Sequence, residues 1–368
     1  MRINSILALS ILFLGLNVSV TAQEVPAWEY PLNNHVFSFP KDNASHPHFK
    51  LEWWYITGHL KDETNNAYGF QATFFRIAGS PEYAETSQTF GHSQLYLAHM
   101  ALTDIAGKHF INEERLNRNG WAAYAKEDKL SLKNGNWSLT QSDSKETTFN
   151  LIGSISRQAS FEMSLTATKP LVIFGTQGVS HKGASPTAAS YYLTFSRLKT
   201  TGFLDYNGKH MTITGQAWMD HEISSSQLSG ELVGWDWTCI QFNHSDYELM
   251  LYRLRRSDGT SDPHSMLQWV NKDGKPISEP FKWTVISEWL SEKSKTTYPS
   301  RICLETIDPR THTWIKLLLN PKLKDQELIT HLGGDTYWEG TCDVTNEANT
   351  SCAEAYVELT GYTHPMKL

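Results

Sequence analysis

Helical periodicity is almost missing from this sequence. Only 280–290 and 322–329 carry a weak 3.6-residue pattern, so a helical bundle and a doubly wound α/β fold are excluded. Basic excess is missing too: 32 Lys and Arg stand against 39 Asp and Glu, a net charge of −7. That balance excludes a nucleic-acid footprint and argues against an anionic-membrane binder. Cysteine is scarce, with four in 368 residues and no Cys-x-x-Cys or Cys/His ligand spacing, so no metal site is expected from local spacing. Fifteen histidines leave a scattered metal site open, His92 and His99 being one candidate pair, but no spacing argues for it. Gly-x-Ser-x-Gly, His-Glu-x-x-His, a P-loop and a dinucleotide glycine fingerprint are all absent. No cofactor is implied.

Aromatics, by contrast, are abundant: 13 Trp, 15 Tyr and 16 Phe. Such side chains bring large apolar area with a polar tip on Trp and Tyr, which suits both cores and the walls of cavities for apolar ligands. They cluster in short β-branched runs: 53–60, 68–77, 94–103, 191–198, 211–218, 235–242 and 248–255. Between the runs lie turn dipeptides, Asp-Gly at 258–259 and 273–274 and Asn-Gly at 119–120, 134–135 and 207–208. Many short strands at close spacing predict an all-β sandwich or barrel.

The N-terminus reads as a signal peptide. Arg2 gives a positive start, Ile6 to Leu16 an apolar stretch too short to span a membrane, and Val20-Thr21-Ala22 a small-residue cleavage site. The mature protein is expected to be exported, periplasmic or secreted, after loss of residues 1–22. In an oxidising compartment Cys342 and Cys352, which bracket a polar loop, could form a local disulfide. Cys239 and Cys303 could pair or stay as buried thiols.

Length predicts about two domains at roughly 150 residues each, and a faint duplication agrees. Glu52-Trp53-Trp54-Tyr55 with Phe74-Phe75-Arg76 is matched by Gly234-Trp235-Asp236-Trp237 with Leu251-Tyr252-Arg253. Gly215 to Met219 has a candidate counterpart in Tyr337-Trp338-Glu339-Gly340. The seam is placed at the Ser/Gly-rich stretch 224–230, dividing an N-terminal domain (30–225) from a C-terminal one (226–368).

These residues carry a resemblance. Phe39-Pro40-Lys41-Asp42, His46-Pro47 and Glu52 to Gly58, then Phe74-Phe75-Arg76 and Ala98 to Asp104, are similar to the AttH-like secreted lipocalin-like family. So are Gly215 to Glu222, Gly234 to Trp237, Tyr337 to Gly340 and Glu358 to Tyr362, in order along the chain. That family is related to carotenoid 1,2-hydratases, also called hydroxyneurosporene synthases, and its members are commonly labelled predicted secreted hydrolases. The resemblance implies two tandem lipocalin-like antiparallel β-barrels. It also implies a hydrophobic lipid or isoprenoid ligand, handled by hydratase-like or hydrolase-like chemistry.

Hydrating an unactivated double bond needs a strong proton donor, aromatic faces for a developing cation and a group to orient water. Asp220-His221-Glu222 beside Trp218, and Glu52 beside Trp53, Trp54 and Tyr55, supply those types. The hydratase pattern has Asp-His followed by Asn, so Glu222 departs from it. Strand alternation puts Trp218, Asp220 and Glu222 on one face and Met219 and His221 on the other. Either the acidic pair or the histidine can then face a ligand. Asp220, His221, Glu222 and Glu52 are the candidate catalytic residues. Trp53, Trp54, Tyr55, His99, Trp218, Trp235 and Trp237 are the candidate ligand contacts.

Structural readings compete with each of these. Glu52 could pair with an arginine such as Arg76 or Arg253, since a lone buried charge is costly. The Trp pairs could be barrel core, His99 a hydrogen-bonded core residue, and the ionisable triplet a network fixing domain orientation. The alternative function is a non-catalytic lipid or isoprenoid carrier of the cell envelope, working with a transport system. A barrel of about eight strands can hold one small apolar ligand in either case.

Overall fold

The computed structural model describes residues 27–79, 94–120, 122–228, 230–332 and 335–366. The predicted signal peptide and His92 lie outside the described residues. The long strands β1 (Leu51–Asp62), β2 (Ala67–Ala78), β3 (Gln94–Asp104) and β4 (His109–Arg118) come first. Shorter ones follow: β5 (Ala123–Ala125), β6 (Ser131–Asn134), β7 (Trp137–Gln141), β8 (Thr148–Ile155) and β9 (Ala159–Ala167). Then come β10 (Val172–Phe174), β11 (Ser180–His181) and two 18-residue strands, β12 (Ala189–Tyr206) and β13 (Lys209–Ser226). The second half holds β14 (Leu232–Phe242), β15 (Glu248–Arg256), β16 (Met266–Val270), β17 (Pro276–Ser278) and β18 (Phe281–Leu290). It ends with β19 (Thr297–Asp308), β20 (Thr313–Pro321), β21 (Glu327–Leu328), β22 (Tyr337–Thr345) and β23 (Ser351–Leu359).

The weak helical patterns at 280–290 and 322–329 are a correction: the first is β18, and the second is a turn leading into β21. Phe281, Trp283 and Trp289 of the first pack against the core of the second sheet and Leu328 of the second packs with Ala101 and Tyr337, so tertiary packing overrides a weak local period.

All pairings are antiparallel, and two sheets result. The first runs β4-β3-β2-β1-β13-β12-β9-β8-β7-β6-β5, and β3 and β4 pack back against β6 and β8 to make a nearly closed barrel. The second runs β17-β16-β15-β14-β23-β22-β20-β19-β18 as a half-barrel. The chain passes from one sheet to the other between Ser226 and Leu232.

The duplication is visible in the strand order. Glu52 on β1 lies opposite Arg76 on β2, and Asp236 on β14 lies opposite Arg253 on β15. Both form ion pairs on a fully buried carboxylate, at 3.0 and 2.8 Å. One residue further on, Trp53 faces Glu222 on β13 and Trp237 faces Glu358 on β23. The expected match of Gly215–Met219 with the 337–340 segment is therefore corrected by one strand. The neighbour of β14 is β23, and 337–340 sits on β22 beyond it.

β1 is buried on both faces, which is why its large apolar residues fall on both and do not alternate with polar ones. Trp54 and Ile56 enter a core that fills the first barrel together with Phe74, Met100 and Met219. Tyr55 turns outward into a second cluster with Tyr192, Trp218, Trp237, Tyr252 and Tyr356, which joins the two sheets. At that junction Gly69 is required: a Cβ there would stand 2.8 Å from the Thr341 methyl.

All four cysteines are free thiols, so the 342–352 disulfide that the sequence left open is not formed. Cys342 lies opposite Ala355, so the β22–β23 register offsets it from Cys352. Their sulfurs contact the carbonyls of Gly340 and Val344 instead.

Candidate active site

A cavity of about 190 Å³ lies between the two sheets, outside both barrels. The first barrel's interior, by contrast, is packed with side chains. The first half contributes Trp53, Tyr55, Phe75, His99 and Tyr192 to the cavity wall, and the second Trp235, Trp237, Tyr252, Leu254 and Tyr337. Four carboxyl groups and one ammonium interrupt this apolar lining: Asp220, Glu222, Asp335, Glu358 and Lys182.

Strand alternation decides which half of the triplet reaches the cavity. β13 runs through Asp220, His221 and Glu222 without a bulge against β1, so Asp220 and Glu222 face the cavity and His221 faces away. Asp220 accepts hydrogen bonds from the Tyr192 hydroxyl (2.7 Å), the Thr194 hydroxyl (2.5 Å) and the Trp218 indole (2.7 Å). Trp237 in turn donates to the Tyr192 oxygen at 2.8 Å, so both halves position the acid. Burial raises Asp220 to about 7, and the nearby Glu222 charge adds to it against the hydrogen bonds from Thr194 and Tyr192.

Glu222 accepts from Ser190 and pairs with Lys182 at 3.1 Å. The Lys182 ammonium is held against the rings of Tyr252 (4.0 Å) and Tyr192 (4.6 Å). Glu358 accepts from the Trp235 indole at 2.6 Å, and burial raises it to about 7 as well. Behind the wall, the Tyr55 hydroxyl donates to Glu339 (2.5 Å), whose burial pushes it well above the carboxylate range. His99 shares a 2.9 Å hydrogen bond with Tyr337, and burial lowers it to about 3, so it is neutral at ordinary pH.

The remaining expected site residues lie elsewhere. Trp54 is barrel core, and Trp218 is buried between the sheets, reaching the site through its bond to Asp220 and its edge contact with Trp237. Glu52 and His221 are on the opposite face of β1 and β13 from the cavity, because their neighbours Trp53, Asp220 and Glu222 take the cavity face. Glu52 is fully buried and bound to Arg76, as the structural reading of that residue anticipates. It also accepts from His46 Nδ1 and His221 Nε2, both 2.8 Å from Oε1. Burial works against its charge, yet the hydrogen bonds from His221 and His46 and the Arg76 charge hold it well below the carboxylate range. His46, Glu52 and His221 could hold a metal ion between them.

Sequence reasoning missed Lys182, Tyr192, Tyr252 and Glu358. Glu358 had a signal, since it is the counterpart of Glu222 in the duplicated frame; Lys182 had none, sitting in a polar segment between strands.

Fold and site define a class: a two-sheet, all-β, lipocalin-like protein that encloses an aromatic, acid-lined cavity at the junction of its halves. The chain belongs to the AttH-like family, whose model matches residues 30–362. Among solved structures it is similar to a protein of Nitrosomonas europaea described as an AttH, at 27% identity and a TM-score of 0.78, covering 90% of this chain and 98% of that one. It is also similar to kievitone hydratase from Nectria haematococca at 15% identity and a TM-score of 0.66, covering 93% and 97%. A third likeness is to CghA with Sch210972, at 10% identity and a TM-score of 0.52, covering 93% and 96%. The last two are likenesses of fold alone. A search among curated proteins finds no match to this chain.

Proposed function

We propose that this is an exported enzyme that adds water to, or removes it from, an apolar small molecule by acid–base chemistry in the cavity between its sheets. The observation that carries this reading is the pair Asp220 and Glu358, two carboxyl groups held near pKa 7 against one aromatic-walled cavity. A general acid works best with a pKa close to the operating pH. Asp220 gives its proton to one carbon of the double bond, and the faces of Trp53, Trp235 and Trp237 stabilise the cationic carbon that results. Glu222, paired with Lys182, orients the attacking water and takes its proton. The similarity in fold to a hydratase agrees with this chemistry. Hydrolysis is less well served, since no Gly-x-Ser-x-Gly elbow exists in the chain. A carrier would use the same apolar walls but has no need of two protons held at neutral pH.

The test is a panel of apolar alkenes, isoprenoids included, incubated with the protein in heavy-oxygen water, with wild type set against Asp220→Asn. Wild type is expected to incorporate labelled oxygen. Asp220→Asn is expected to lose at least about 100-fold in rate while still quenching tryptophan fluorescence on ligand binding. Bound ligand returned unaltered by both proteins would overturn the enzyme reading in favour of a carrier.

A further inference from the structure

The face of β1 and β13 turned away from the cavity carries a second constellation. His46 Nδ1 and His221 Nε2 both point at the same oxygen, Oε1 of Glu52, each at 2.8 Å. One donor atom from each of these three residues lies within 4.8 Å of the other two. We propose that His46, Glu52 and His221 bind one divalent transition-metal ion of the zinc type, which clamps the segment 40–49 onto the first barrel.

The donor set selects the ion. Two imidazoles and one carboxylate suit zinc, cobalt or nickel, whereas magnesium and calcium require oxygen shells. Three protein ligands and a water complete a tetrahedron. The ion takes the place of the protons now lying between each ring and Oε1: His46 passes its Nδ1 proton to solvent and keeps the one on Nε2, and His221 carries its single proton on Nδ1 instead of Nε2.

A second observation, independent of the three ligands, is the shell that aims them. Oε2 of Glu52 is occupied by Arg76 Nε, the Ser45 hydroxyl and the His46 backbone N–H, each at 3.0 Å. That leaves Oε1 to the two imidazole rings alone. Behind His46, the Asp42 carboxylate stands 3.6 Å from Nε2, the nitrogen that would not ligate. A carboxylate behind a ligating imidazole is a recurrent outer partner of metal-bound histidine. The His221 ring is fixed by stacking on Trp54, at 4.5 Å between centroids. The Arg76 charge beside the site weakens cation binding, but its guanidinium holds Oε2 and leaves Oε1 clear.

Access and purpose follow from burial. Glu52 is fully buried and His221 nearly so, while the His46 side chain is 23% exposed, so the ion enters from the His46 side and its water points outward. The segment carrying His46 also supplies the Asn43 carbonyl that accepts from the Trp54 indole at 3.0 Å. A metal there ties this segment to β1 and β13, two central strands of the sheet.

The proposal does not depend on the reaction in the cavity, and its readouts are separate. Tag-free, chelator-stripped protein is equilibrated with zinc, dialysed and analysed for metal, and its melting temperature is read with and without zinc. One zinc per chain and a raised melting temperature are expected. His46→Gln, which changes a partly exposed loop side chain, should lose affinity on the order of 100-fold. Asp42→Asn should lose about tenfold through the outer shell. Near-UV circular dichroism checks that both variants are folded. Replacing zinc by cobalt should give visible d–d absorption in wild type and none in His46→Gln. Wild type that retains no metal, or a folded His46→Gln that retains as much as wild type, would overturn the proposal.

Discussion

Asp220 is asked to do two opposed things by its surroundings. Three hydrogen-bond donors favour its charged form, and burial beside Glu222 favours the neutral one; burial wins and places it near 7 against an ordinary 3.8. Between those values the folded protein holds a proton that the unfolded chain releases. Stability should therefore fall as pH rises from about 4 to about 7 and level off above. Glu358 adds to the same slope, so the two titrate together. Urea unfolding across this range should show a shallower slope for Asp220→Asn, and shallower again with Glu358→Gln added; an unchanged slope would place the protons elsewhere. Turnover should follow the protonated form, falling about tenfold per pH unit above 7.

Glu52 shows the opposite balance at the same scale. Its charge is kept by Arg76, His46 and His221 together. Removing one partner of a buried pair leaves a charge uncompensated, which costs about 3–5 kcal/mol. Arg76→Leu should lose stability of that order in urea unfolding, and Glu52→Gln added to it should restore part of the loss.

At the scale of the element, β1 works as a two-sided strand. Its residues alternate between the filled barrel and the cavity between the sheets. Two adjacent tryptophans thus have separable roles. Trp54→Ala removes a fully buried side chain and should cost about 3–5 kcal/mol of stability. Trp53→Ala takes away a cavity wall and should weaken ligand binding measured by calorimetry, with less than half that loss of stability. Equal effects on both quantities would mean that the faces are not distinct. The strand period was legible before the fold was known, and it limited the Asp220-His221-Glu222 triplet to one face or the other. Which face held the cavity was not legible, because both faces of β1 and of residues 217–225 of β13 are buried and each face mixes aromatic with ionisable residues. The cysteines belong to this scale as well: loop composition left a 342–352 disulfide open, and the strand register sets the two residues out of step with both thiols free.

For the whole molecule, the junction is the functional unit. Trp237 of the second half donates to Tyr192 of the first, which holds Asp220, and Tyr55 of the first donates to Glu339 of the second. Because the halves share one buried aromatic cluster, they should unfold together. Calorimetry and near-UV circular dichroism are expected to give one coincident transition, raised by a cavity ligand. Two separate transitions would show that the junction is weaker than its contacts indicate.

Composition, strand period and turn chemistry were enough to determine the all-β class, the duplication and the buried acids that need partners. Those properties are local, or follow from the cost of burying charge and apolar surface. The cavity, the grouping of Asp220 with Glu358, the insertion of Lys182 and the convergence of His46 with Glu52 and His221 were decided only in three dimensions. They depend on how one sheet lies against the other and on strand neighbours far apart in the chain, and no local pattern records either.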